Sequence, residues 1–133
     1  MIYIGKELIT VEKLVQVARF NEKVGLDETG KKNILESNAR LERIVAKGKP
    51  VYGINTGFGI FADKKIKPEE ISKLSRNLII SHAVGTGEPL PIEVTRAAIL
   101  VRANTLARGF SGVRIKIVET LIEMLNKGVT PVV

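Results

Sequence analysis

No cysteine occurs in the 133 residues, so the chain carries neither a disulfide framework nor thiolate chemistry. That absence fits a cytoplasmic protein. A single histidine, His82, excludes any site that needs two histidines from this chain. Aromatic residues make up only 5%, so a core must be assembled from Ile, Val, Leu and Ala. The N-terminus has no apolar run resembling a signal peptide, and no stretch reaches the roughly 18 apolar residues that mark a membrane span. No membrane partner is expected. Internal repeats, low-complexity tracts and linkers are also missing.

What remains is a chain of single-domain length, 44% hydrophobic, read as one unit over residues 1–133. Its formal net charge is +7, which raises the question of a nucleic-acid surface. Lys31, Lys32, Arg40, Arg43, Lys47 and Lys49 are spread along a helical stretch and interleaved with Glu36 and Glu42. No aromatic residues alternate with them to stack on bases, so the charges read as a solvated helix face and no nucleic acid is expected.

Periodicity predicts an all-α fold with a small N-terminal element. Ile2-Tyr3-Ile4-Gly5 is short and apolar, a small strand. Thr10 is placed to cap a helix bearing Val11, Leu14, Val15 and Ala18 at i, i+3, i+4 and i+7. A second helix is expected from about Asp27 to Lys47, with Ile34, Leu41, Ile44 and Val45 inward and Gly48 and Pro50 ending it. A third starts at Pro68, carries Ile71, Leu74 and Leu78, and runs to His82 before Gly85-Thr86-Gly87 breaks it. The stretch from Pro91 to Arg108 is apolar on nearly every side, as in a helix buried within a larger bundle. A turn at Gly109-Phe110-Ser111-Gly112 leads to a last helix over 113–126. The end, Gly128 to Val133, is apolar with no finishing element, and the chain reads as the first long helices of a bundle, interrupted.

Three places carry candidate chemistry. Tyr52-Gly53-Ile54-Asn55-Thr56-Gly57-Phe58-Gly59 puts a phenol on a glycine-rich loop. Its spacing matches neither a dinucleotide fingerprint nor a P-loop. The bland reading is a turn with a packed tyrosine. A phenol ordinarily titrates near pH 10, so Tyr52 would need nearby positive charge or hydrogen bonds to act as a base. His82 stands at a helix end beside a second glycine loop; a lone histidine is more often structural. In the apolar helix, Asn104 and Arg108 lie four apart on one face, and Arg102 and Asn104 are read as structural partners inside the bundle, since buried polar groups need partners. Nothing decides whether Glu88 is paired or solvated.

Taken together, the Tyr52–Gly59 segment, then Ser81-His82-Ala-Val-Gly85-Thr-Gly87-Glu-Pro-Leu, then Arg102-Ala-Asn104-Thr-Leu-Ala-Arg108-Gly109-Phe-Ser111-Gly112-Val-Arg114, resemble the aromatic amino-acid ammonia-lyase and aminomutase family. The ending Gly128-Val-Thr-Pro131-Val-Val resembles the approach to that family's cofactor loop. The motifs cover most of residues 50–133 in the family's order; the first fifty residues match mainly in pattern.

The resemblance implies removal of the α-amino group and a β-proton from an aromatic amino acid. It also implies 4-methylideneimidazol-5-one (MIO), an electrophile made from an Ala-Ser-Gly tripeptide that this sequence does not contain. On that reading the chain is an N-terminal piece, inactive alone, of a cytoplasmic homotetramer. Tyr52 matches the family's base for the β-proton. His82 matches the residue facing the substrate ring, with Asn55 also assigned to substrate binding. Gly53, Gly57 and Gly59 would let the tyrosine loop close. A histidine at position 82 points to histidine or tyrosine as substrate, and its Ser81-His82-Ala-Val-Gly85 context with the short N-terminus favours histidine. The alternatives are a tyrosine lyase or aminomutase of the same family, or a non-enzymatic helical module with a basic face for an acidic partner.

Overall fold

The computed structural model describes residues 1–56, 66 and 70–133. Among these, two short strands and five helices follow in the order β1 (Ile2–Ile4), α1 (Val11–Phe20), β2 (Val24–Leu26), α2 (Glu28–Ala46), α3 (Ile71–His82), α4 (Ile92–Ala107) and α5 (Ile115–Lys127). The chain divides into two compact units. One joins Met1–Leu41 to Glu88–Val133, and the other is Glu42–Gly87. No described helix is long and apolar enough to cross a membrane.

In the first unit, β1 and β2 pair in parallel, Ile2 opposite Val24 and Ile4 opposite Leu26, with α1 as the crossover. The predicted strand at residues 2–5 is thus present, and its partner at 24–26 is an element that periodicity did not indicate. Thr10 caps α1 as expected, its hydroxyl accepting the Lys13 N–H at 3.3 Å. Asp27 starts α2 with one carboxylate oxygen on the Gly30 N–H, while the other takes the Lys6 N–H, both at 2.7 Å. That carboxylate joins the end of the first strand region to the helix. On the far edge of β2, Asn126 substitutes for a missing strand. Its Oδ1 accepts the Val24 N–H at 2.9 Å and its Nδ2 donates to the Val24 carbonyl at 2.8 Å.

The core of this unit is aliphatic, as the composition required. Ile4, Val17, Val24, Ile34, Leu100, Ala103, Ala107 and Val118 are buried, with Ile122 and Leu125 of α5 closing over them. Each Ile, Leu or Val of that set contributes about 1.5–3 kcal/mol relative to leaving it exposed. Helix α4 is central and turns Ile99, Leu100, Ala103, Leu106 and Ala107 inward. Its outward side is also apolar, with Val94, Ala98 and Val101 exposed.

Candidate active site

The second unit contains Tyr52, Asn55 and His82. Helix α2 ends as Lys47 and Gly48 donate back to the carbonyls of Ile44 and Val45, and the chain then enters a tight turn. The Val51 carbonyl accepts the N–H of Ile54 at 3.1 Å and of Asn55 at 3.3 Å. Gly53, third in the turn Val51–Ile54, has φ +76°, which is the requirement of a type II turn at that place. A Cβ added to Gly53 would meet nothing within 4 Å, so the backbone angle and not close approach calls for glycine.

Tyr52 rides on this turn with 62% of its surface exposed. Asn55, by contrast, is 4% exposed. Its Oδ1 accepts the Val51 N–H at 2.8 Å, and its Nδ2 donates to the Lys49 carbonyl at 3.0 Å. Its own backbone carbonyl receives the Ile66 N–H at 3.0 Å. Thr56 beside it is buried as well. Gly57 and Gly59, assigned to loop closure from the sequence, lie outside the described residues, as do Phe58 and the expected helix start at Pro68.

His82 is the last residue of α3, whose half-buried face carries Leu74 and Leu78 as the spacing predicted. The imidazole is exposed, and its Nδ1 lies 2.8 Å from the Leu78 carbonyl oxygen. Two acceptors would repel at that distance, so Nδ1 carries the proton and donates. The Ser81 hydroxyl donates to the same carbonyl at 2.9 Å and stands 3.1 Å from Nδ1. In the neutral ring, Nε2 is therefore the bare nitrogen, an acceptor turned away from the helix carbonyl. Hydrogen bonds join Asn55 to the Tyr52 turn; those of His82 run to its own helix.

The polar residues read on α4 separate. Arg102 is exposed, Arg108 is half-buried, and Asn104 keeps a buried Oδ1 with no partner among the described residues. The buried arginine is Arg96, which the sequence reading passed over. It donates to the carbonyls of Leu125 at 3.1 Å and Val17 at 2.9 Å. The cations of α2, Lys31, Lys32, Arg40 and Arg43, are exposed, and Lys32 lies 3.9 Å from Glu36. No group of three His, Asp or Glu side chains able to hold a metal occurs among the described residues.

Comparison with known proteins gives a consistent match. Residues 9–133 match the family model described as aromatic amino acid lyase. The chain is 53% identical over 125 residues to the histidine ammonia-lyase of Caldanaerobacter subterraneus subsp. tengcongensis, covering 94% of this chain and 25% of that protein. It is 47% identical over 133 residues to histidine ammonia-lyase 2 of Fusobacterium nucleatum subsp. nucleatum, covering 100% of this chain and 26% of that one. Among solved structures, tyrosine aminomutase from Streptomyces globisporus superposes with TM-score 0.92 at 32% identity, over 98% of this chain and 25% of the other. The chain thus spans about a quarter of the length of the relatives it matches.

Proposed function

The chain belongs to the aromatic amino acid lyase family, and from that membership we propose that residues 1–133 supply the proton-abstracting tyrosine and the ring-facing histidine of an enzyme that deaminates L-histidine to urocanate and ammonia. The activity resides in a chain of the relatives' length, assembled as a cytoplasmic homotetramer. The observation that carries the substrate assignment is the likeness to histidine ammonia-lyases at 53% and 47% identity. The state of His82 supports it. With Nδ1–H spent on Leu78, Nε2 offers a lone pair, and the partner it suits is a substrate ring that brings an N–H.

The family resemblance implies MIO, and this sequence has no Ala-Ser-Gly from which to make it. No residue here forms that group, so it belongs to another part of the lyase chain. When present, it supplies the electron sink that turns the α-amino group into a leaving group. The task of Tyr52 is separate. It acts as the base for the β-proton, the C–H electron pair becomes the Cα–Cβ double bond, and the amine departs with the C–N pair. Exposure of Tyr52 on a short turn suits a group that must reach substrate. Gly53 supplies the positive φ that the turn beneath Tyr52 requires.

A tyrosine-specific enzyme is the second reading. It is favoured by the likeness to tyrosine aminomutase, and a phenol O–H can also donate to Nε2. A non-enzymatic module has no such support.

The experiment is a substrate comparison on the full-length chain carrying this sequence, wild type against His82→Leu. Wild type is expected to form urocanate from L-histidine, read by absorbance. The variant should lose roughly ten- to a hundredfold in kcat/KM on L-histidine, because a polar ring then faces an apolar wall. Phenylalanine, which needs no acceptor, should lose less. Equal losses on all substrates with a lower melting temperature would make His82 structural. Turnover of L-tyrosine without L-histidine would select the second reading.

A further inference from the structure

The resemblance assigns Asn55 to the substrate, but both ends of its side-chain amide are committed elsewhere. Oδ1 holds the Val51 N–H and Nδ2 holds the Lys49 carbonyl, at 2.8 and 3.0 Å, in a side chain only 4% exposed. These two backbone groups lie on the N-terminal side of Tyr52, while Asn55 lies three residues beyond it. The amide therefore closes a ring around the tyrosine's turn. The Val51 carbonyl, bonded to Ile54 and Asn55 N–H groups, closes the same turn from inside. The Asn55 carbonyl in turn holds the Ile66 N–H, so the brace extends to residue 66.

We propose that Asn55 is a positioning residue: it does not touch substrate, but fixes the backbone of residues 49–55 so that the Tyr52 phenol projects from a rigid turn. Here the proposal rests on the role given to Tyr52 above. The backbone beneath the ring sets where it starts from, and that backbone is tied by a buried amide. Displacing a reacting group by about 1 Å can cost about a hundredfold in rate, so a brace of this kind acts on kcat rather than on ground-state binding.

The test is a double-mutant cycle in the full-length lyase with L-histidine. Asn55→Ala should lower kcat about ten- to a hundredfold with KM within about threefold of wild type. Tyr52→Phe should lower kcat by about 10²–10⁴. If Asn55 works through Tyr52, adding Asn55→Ala to Tyr52→Phe should cost less than about threefold more. Asn55→Asp keeps an acceptor for Val51 but has no donor for Lys49, and should fall between wild type and Asn55→Ala; it runs the same cycle if the alanine variant fails to fold. Hydrogen exchange gives a readout apart from activity: the Val51 amide should lose protection in both Asn55 variants and keep it in Tyr52→Phe. Losses that multiply in the double variant, or a raised KM, would overturn the positioning role while leaving Tyr52 as the base. Unchanged kcat in the Asn55 variants would overturn it too. A Tyr52→Phe enzyme within a few-fold of wild type would remove the base and the brace together.

Discussion

Arg96 brings a guanidinium into the interior of the first unit, 3% exposed, with no carboxylate among its hydrogen-bond partners. Its partners are the Val17 carbonyl in the last turn of α1 and the Leu125 carbonyl in the last turn of α5. Final-turn carbonyls run short of intrahelical donors and carry the negative end of the helix dipole; Leu125 also receives the Gly128 N–H at 3.3 Å, and one planar cation serves both helix ends at once. Replacing it with Met, of similar reach, would leave both carbonyls without that donor. Charge-assisted hydrogen bonds contribute about 1.5–3 kcal/mol each, so loss of the two in Arg96→Met should destabilise by about 3–6 kcal/mol in chemical denaturation. Arg96→Lys should recover less than half of that, because a single ammonium does not span two carbonyls as a fork does. A loss under about 0.5 kcal/mol for Arg96→Met would show that the helix ends find other donors.

At the scale of elements, the turn after α4 is clamped to α2 more tightly than either helix requires. Ser37 accepts the Gly112 N–H at 3.0 Å, and Asn38 donates to the Gly112 carbonyl at 2.8 Å. Gly109 has φ +78°, and a Cβ there would sit 2.6 Å from the Asn33 carbonyl oxygen and 2.6 Å from its Cβ. Backbone cannot swing aside as a flexible side chain can. Gly109→Ala should therefore cost about 3–5 kcal/mol, the left-handed strain plus a forced separation of two elements. Gly128→Ala, at φ +71° with nothing within 4 Å, should cost only the strain, about 1–2 kcal/mol. Equal melting temperatures for the two variants would remove the close approach from the account.

How far such features could be read beforehand depends on their range. The Thr10 cap and the glycine and proline stops are local, and the start of α1 and the bounds of α2, α4 and α5 fall within two residues of expectation. Strand β2 is Val-Gly-Leu, three residues whose pairing with β1 exists only once α1 folds back. In α4, apolar residues occupy every side, so the sequence gives no phase. Arg102 could then be read as buried and Arg96 overlooked, although their burial is the reverse. The Tyr52 and His82 motifs were legible as resemblance. The amide bonds of Asn55 were not, because residue type alone does not say which neighbour a buried amide will hold.

For the whole molecule, the outward side of α4 poses the main question. Val94, Ala98 and Val101 lie along one line at i, i+4 and i+7, exposed, opposite the residues that form the core. Ile92 at the start of the helix and Phe110 beyond its end are also exposed. Water-facing helices of small domains are ordinarily polar on that side, and contiguous apolar surface drives association. The chain spans about a quarter of its relatives' length, and on the proposed function above the rest of such a chain or a neighbouring copy would cover this line. The 133-residue chain alone should then associate at tens of micromolar and bind an apolar dye. It should also form no urocanate from L-histidine, lacking the Ala-Ser-Gly that MIO requires. Val94→Lys with Val101→Lys tests the cause, because both positions are solvent-facing and leave the inward residues untouched. That double variant should sediment closer to monomer, bind less dye and keep its helical circular dichroism. If the unsubstituted chain is a monodisperse monomer without dye binding, α4 needs no cover. If the lysines leave association unchanged, the driving surface lies elsewhere on the molecule.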